Sequence, residues 1–225
     1  MRTAQASDAV GTALAAAGIS PERCGRKRSE RLNERERRLY RWVLTEFAQR
    51  GRPDGATFRA KTAELELDAT TAVEALAHED LIHLDGEGEV AVAYPFSASP
   101  TRHRVRLSEG NEVFAMCALD ALGMAAMLDR AIEVRSTDPA SGEPIVARVG
   151  TDGRAEWKPQ QAVVLAGARG DGPSYQGCCA VLNFFASPAS AERYLREQPD
   201  VRGHVMSVPA AAAAGAAIFG DALAG

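Results

Sequence analysis

A chain of 225 residues can bury a sizeable core and fits one large domain or two small ones. Hydrophobic residues at 46% and charged residues at 25% are ordinary for a globular protein. The net charge of −4 argues against wholesale binding to nucleic acid or an anionic membrane. No apolar run is long enough to span a bilayer. The opening MRTAQASDAVGTALAAAGIS is interrupted by Asp8 and lacks the layout of a secretory signal, so a cytoplasmic location is expected.

Residues 1–28 are small and polar and read as a flexible lead-in. From Arg26 onward, charges interleave with Leu32, Leu39, Val43 and Phe47 near one helical face, which predicts an amphipathic helix stopped by Gly51-Arg52-Pro53. Residues 55–95 read as helix, helix and hairpin. Thr57 can cap a helix ending near Leu65. Asp68 can cap a second, with Val73, Leu76 and Leu81 inward. Ile82-His83-Leu84 and Val90-Ala91-Val92-Ala93 flank the turn residues Asp85-Gly86-Glu87-Gly88.

Over residues 29–95 this order is that of a winged helix-turn-helix, and charge decides its use. Between Thr57 and Pro95, Arg59 and Lys61 face nine carboxylates, and Ala69 to Asp80 carries no Lys or Arg. A DNA-reading helix needs cations opposite phosphates, so the module reads as structural.

Residues 96–225 read as an α+β catalytic domain with a mixed or antiparallel sheet and flanking helices. Strands are expected at Arg104–Leu107, Glu112–Phe114, Ile132–Val134, Pro144–Val149, Ala162–Leu165 and Cys179–Phe185. A helix is expected from Cys117 to Arg130, and another opens at Ser187-Pro188. Turn residues such as Gly170-Asp171-Gly172-Pro173 separate them, and the tail after Pro209 is rich in Ala and Gly.

The cysteines are Cys24, Cys117, Cys178 and Cys179. Their spacing fits no zinc pattern, and in a reducing compartment they should be thiols. A single buried cysteine is most often an inert small hydrophobe. Cys117 and Asp120, however, lie three apart and share a helix face. If Cys117 instead precedes the first turn, its sulfur meets the positive end of the helix, which favours thiolate. A neighbouring thiolate and apolar surroundings would raise Asp120 into the range of a general acid. Cys178 and Cys179 should point to opposite faces of a strand, so one of them should meet Cys117 while the other packs. Soft thiolates select soft metals, mercury above all.

Ala115-Met116-Cys117-Ala118-Leu119-Asp120 and Cys178-Cys179-x-Val181-x-x-Phe184-Phe185-Ala186-Ser187 resemble the two signature blocks of the bacterial organomercurial (alkylmercury) lyases. The resemblance runs over roughly residues 30–210 and includes the Ser141-Gly142-Glu143-Pro144 turn. It implies protonolytic cleavage of carbon–mercury bonds by Cys117, Asp120 and Cys178, with Cys179 dispensable. It implies no resident cofactor: Hg(II) is product, held by the same three side chains until low-molecular-weight thiols or a mercuric reductase remove it. Two departures stand out. Met116 occupies a place where many members have Trp, and Ser136-Thr137-Asp138 lacks a structural cysteine that many carry.

His103 is expected as a hydrogen-bonded surface or pocket-rim residue, Trp42 and Trp157 as packing residues, and Tyr175 as a candidate cover for the site. Two rival readings accompany the lyase. One is a non-catalytic mercury or soft-metal binder, or a substrate-diverged member of the family. The other is a thiol-sensing winged-helix regulator, which the acidic face disfavours.

Overall fold

Capping residues written into the sequence start and stop the first helices. After a short helix, α1 (Gly25–Ser29), comes α2 (Glu34–Arg50). Asn33 accepts from the Glu36 backbone while the Glu36 side chain accepts from Asn33, a reciprocal capping box, and Gly51 at φ 88° ends the helix. The computed structural model describes residues 25–170, 174 and 176–223. Cys24, Tyr175 and the Asp171-Gly172-Pro173 turn lie outside the described residues, as does nearly all of the expected lead-in.

Helix α3 (Gly55–Glu64) is capped by Asp54 rather than Thr57. Thr57 sits at the third helical position, where its backbone N–H is one of the unsatisfied donors a cap must serve. Helix α4 (Ala69–His78) starts at Asp68 as expected. Leu76 and Leu81 are fully buried and Val73 packs against the same core.

The hairpin of β1 (Ile82–Leu84) and β2 (Val90–Ala93) forms where the turn residues place it. It is one edge of an eight-stranded antiparallel sheet with β3 (Phe96–Ser97), β4 (His103–Leu107), β5 (Glu112–Ala115), β6 (Ile132–Thr137), β7 (Pro144–Val149) and β8 (Ala155–Lys158). The order across it is β1-β2-β3-β5-β4-β6-β7-β8. Alternation is clear in β4, where Val105 and Leu107 point inward and Arg104 and Arg106 outward. A second antiparallel sheet has the order β10-β9-β11, with β9 (Val163–Ala168), β10 (Asn183–Phe185) and β11 (Arg202–Ser207). The molecule is thus α+β, and every strand pairing described is antiparallel.

Helix α5 (Ala118–Leu128) lies in the middle, against β4, β5 and β6 on one side and α7 (Val208–Phe219) on another. Nearly every residue of α5 is buried. Its crossing with α7 works only because both helices offer glycine: a Cβ on Gly215 would sit 2.7 Å from the Gly123 nitrogen. The Ala-rich tail is therefore a helix, begun by Ser207 and a proline in its first turn. Helix α6 (Pro188–Glu197) covers the smaller sheet over Leu165, Val181, Phe185, Ala191 and Val201. Among the described residues no helix is long and apolar enough to cross a membrane.

Candidate active site

Strand β5 ends at Ala115, and two residues later the chain turns into α5 with Cys117 as its N-cap. The Cys117 backbone is extended (φ −151°, ψ 178°), and its Sγ accepts from the Asp120 N–H at 3.4 Å. Cys117 is thus a helix N-cap with sulfur in place of the usual hydroxyl. Of the two placements open to Cys117, the one just before the first turn is realised.

The other sulfurs arrive from the connection between β9 and β10. The expected strand from Cys179 shortens to Asn183–Phe185, because the Val181 and Leu182 N–H groups both donate to the Cys178 carbonyl at 3.0 Å and fold residues 177–182 into a turn. Strand alternation therefore does not separate Cys178 from Cys179. The Ala118 N–H donates to the Leu182 carbonyl at 2.9 Å, tying this turn to the start of α5.

Cys117, Asp120 and Cys179 form one buried group whose ligand atoms all lie within 4.8 Å of one another. Their exposures are 1%, 5% and 7%. Cys179 Sγ donates to Asp120 Oδ2 at 3.7 Å. Cys178, expected as the second sulfur, falls outside this group of three. It is half-buried beside Cys179, with Sγ directed at the Ser174 carbonyl at 3.5 Å. The thiol expected to pack is thus the one against Asp120.

Burial governs the protons. It pushes the Cys117 thiol up to about 12, with the Asp120 charge adding to the effect and the Cys179 hydrogen bond opposing it. It also raises Asp120 to about 7, aided by the Cys178 charge and opposed by bonds from Cys117 and Cys179. Cys179 lies well above the usual thiol range, because the sulfurs of Cys117 and Cys178 beside it favour its protonated form and it is buried. Cys178 goes the other way, to about 7, because it accepts from Cys179 and feels Ser174 and the Arg28 charge. The site thus combines one acidic, accessible thiol, two buried thiols that keep their protons, and a carboxyl that can hold or release one near neutrality.

Several residues here escaped the sequence reading. Arg28 is buried and bonded to Asp80 and Ser174. Tyr94 faces the cysteines, and its phenol is held up by burial and by the charges of Cys179, Asp80 and Asp120. The Tyr40 hydroxyl donates to the Tyr94 carbonyl at 2.8 Å. In sequence, Arg28 and Asp80 are only two more charges in charged stretches.

His103 is not at a rim. It is 1% exposed, bonded to Ser136 Oγ at 3.0 Å and tilted against the Phe184 ring, and burial lowers its pKa to about 3. Ser136 and Asp138, where a structural cysteine is absent, are both buried. Asp138 accepts from the backbones of Ala140, Ser141 and Ala186, pinning the small-residue turn to the end of β10. Trp42 and Trp157 pack against the core as expected.

A groove on the outer face of the large sheet is lined by Arg106, Glu133, Arg135 and Arg148 and contains no thiol. Glu133 is already ion-paired there with Arg135 and Arg148.

Comparison with known proteins places the thiol site in context. The family model described as MerB, alkylmercury lyase, matches residues 96–220. The chain is 33% identical over 128 residues to an alkylmercury lyase of Bacillus cereus, a match covering 56% of this chain and 57% of that protein. It is 30% identical over 163 residues to an alkylmercury lyase of Streptomyces lividans, covering 72% of this chain and 73% of that one. A solved structure, the mercury-bound form of MerB2, superposes with a TM-score of 0.73 at 20% identity over 97% of this chain and 98% of its own, which is a likeness of fold. The match thus spans little more than half the length of the Bacillus cereus relative, and a larger share of the Streptomyces lividans one. With a family model that covers more than half of its residues and two such relatives, the chain belongs to the alkylmercury lyase family.

Proposed function

We propose that this chain cleaves carbon–mercury bonds by protonolysis, releasing a hydrocarbon and retaining Hg(II). The observation that carries the reading is the buried approach of two thiols to one carboxyl, with a third, half-buried thiol next to them. Soft sulfur ligands bind an organomercurial, and a carboxyl titrating near 7 supplies the proton.

The steps balance as follows. An organomercurial arrives as its adduct with a cellular thiol. The Cys178 thiolate attacks mercury and the small thiolate leaves. Cys117 passes its proton to the Asp120 carboxylate as its sulfur adds to the metal. Asp120 delivers that proton to the carbon, and the electron pair of the carbon–mercury bond becomes the new carbon–hydrogen bond. Mercury stays divalent throughout, held by two sulfurs beside Asp120. Cellular thiols or a mercuric reductase would then remove it. Thiols must stay reduced for this, which suits the cytoplasm. Helices α2, α3 and α4 with the β1–β2 hairpin act as a winged-helix-like structural module, since α4 bears no Lys or Arg.

Cys178 is taken as the second sulfur because it is the accessible and acidic one. A second reading gives that role to Cys179, favoured by its place within the buried group. Incubation with phenylmercury and excess thiol, followed by detection of benzene, tests both. Wild type should release benzene, Cys178→Ser should abolish release and Cys179→Ser should reduce it only modestly. The reverse order assigns Cys179. Tight mercury binding by wild type with no benzene identifies a binder instead.

A further inference from the structure

The turn that carries Cys178 is fastened to a part of the chain that the reaction itself does not use. Arg28 on α1 is 7% exposed. Its Nη1 lies 2.6 Å from Asp80 Oδ2 and donates to the Asp80 carbonyl at 2.8 Å, while Nη2 donates to Ser174 Oγ at 3.1 Å. Ser174 donates its hydroxyl at 2.7 Å and its backbone N–H at 3.2 Å to that same Asp80 oxygen. The other Asp80 oxygen lies 2.7 Å from His83 Nε2. One carboxylate therefore receives a guanidinium, a hydroxyl, an amide and an imidazole.

Asp80 is itself rigidly placed. It follows the last turn of α4 at φ 52°, a left-handed conformation that Asp tolerates better than most side chains. Its N–H donates to the Ala77 carbonyl at 2.9 Å, and the next N–H, of Leu81, donates to Leu76 at 3.0 Å. From Ser174 the connection continues directly into the site. The Ser174 carbonyl accepts from the Cys179 N–H at 2.8 Å and from Cys178 Sγ at 3.5 Å.

A staple between two parts of a fold does not call for this arrangement. Taking an ion pair out of water is costly, and apolar side chains of similar volume hold surfaces together at least as well. What an ionic, forked contact adds is a defined position, because the guanidinium fork and the carboxylate accept only a narrow set of geometries. Here those directional bonds converge on the residue whose carbonyl holds both cysteines of the turn.

We propose that Arg28, Asp80 and Ser174 are positioning residues that hold the Cys178 turn against Cys117, Asp120 and Cys179. Its catalytic consequence rests on the lyase reading; the fastening itself rests on the bonds just described. The lowered pKa of Cys178, to which Ser174 and Arg28 both contribute, agrees with it.

The test uses the full chain and three readouts: alkylation of Cys178 by iodoacetamide at pH 7, followed residue by residue by mass spectrometry; kcat and KM for phenylmercury; and the thermal midpoint. Arg28→Met and the milder Ser174→Ala should slow Cys178 alkylation at least about threefold and lower kcat about tenfold, with KM changed less than about twofold. Arg28→Lys, which keeps the charge but not the fork, should recover part of the alkylation rate and little of kcat. Variants that lose thermal stability alone, with alkylation as fast as wild type or faster and with kcat intact, overturn the proposal. If wild type releases no hydrocarbon, the lyase reading fails, and the alkylation series still decides whether the turn is held.

Discussion

Two strand-to-helix junctions in this protein are built alike and used differently. At one, β5 runs through Met116 to Cys117 and into α5; at the other, β10 runs through Ala186 to Ser187 and into α6. Both caps are extended, at φ −151°, ψ 178° and φ −156°, ψ 161°, and each accepts from the N–H three residues on, at 3.4 Å and 3.3 Å. The serine junction is a helix start reinforced by Pro188. The cysteine junction replaces the hydroxyl with sulfur and places a carboxyl at the same third position, where the other has Ser190. It also buries both groups. The difference teaches that this candidate site is a helix cap whose chemistry has been exchanged while its geometry was kept.

That comparison is sharpest in Cys117→Ser, which turns the first junction into the second. Benzene release should fall to background. The thermal midpoint should hold or rise, because serine is a good N-cap and leaves the fold intact. A folded, fully active Cys117→Ser protein would separate the cap from the chemistry.

Asp120→Asn should come next, lowering turnover by about a hundredfold or more while mercury still binds. The same substitution should stabilise the protein above pH 7. Asp120 titrates at about 7 when folded and near 3.8 otherwise, so between those values the folded state holds a proton that the unfolded state has released. Stability therefore declines as pH rises through that window and levels off above it. Thermal melts at pH 5 and pH 8 should show a gain from Asp120→Asn at pH 8 and little at pH 5. In the proposed steps Asp120 must be ionised to take the Cys117 proton, so single-turnover release by wild type should weaken as pH falls below about 7.

Ser187→Ala should have the smallest effect, about 1 kcal/mol of stability with turnover per folded molecule unchanged. Chemical denaturation alongside the benzene assay measures both. A large loss of turnover would mean that this junction, too, takes part in the site.

Much of this was legible before any coordinates, for identifiable reasons. Asp68 and Ser187 announce their helices through short-range bonds to backbone three residues away. Strands β4 and β7 declare themselves by alternation. Other elements gave weak signals. Strand β8 is half-exposed and polar, and β3 is two residues long. Helix α7 is so poor in side chains that its partner, met through Gly123 and Gly215, is what gives it a place. The strand expected at Cys179 failed because two amides closed on the Cys178 carbonyl, a choice that apolar composition does not encode.

The sequence by itself determined the family blocks, the pairing of Cys117 with Asp120 and the α+β order, because those depend on residues within a few positions of one another. Only the tertiary structure decided that Cys179 closes on Asp120, that Cys178 keeps the accessible place, and that Arg28 and Asp80 reach Ser174. Those contacts join segments 52 to 146 residues apart. Their energies come from burial and from bonds between groups that the chain brings together only once it has folded.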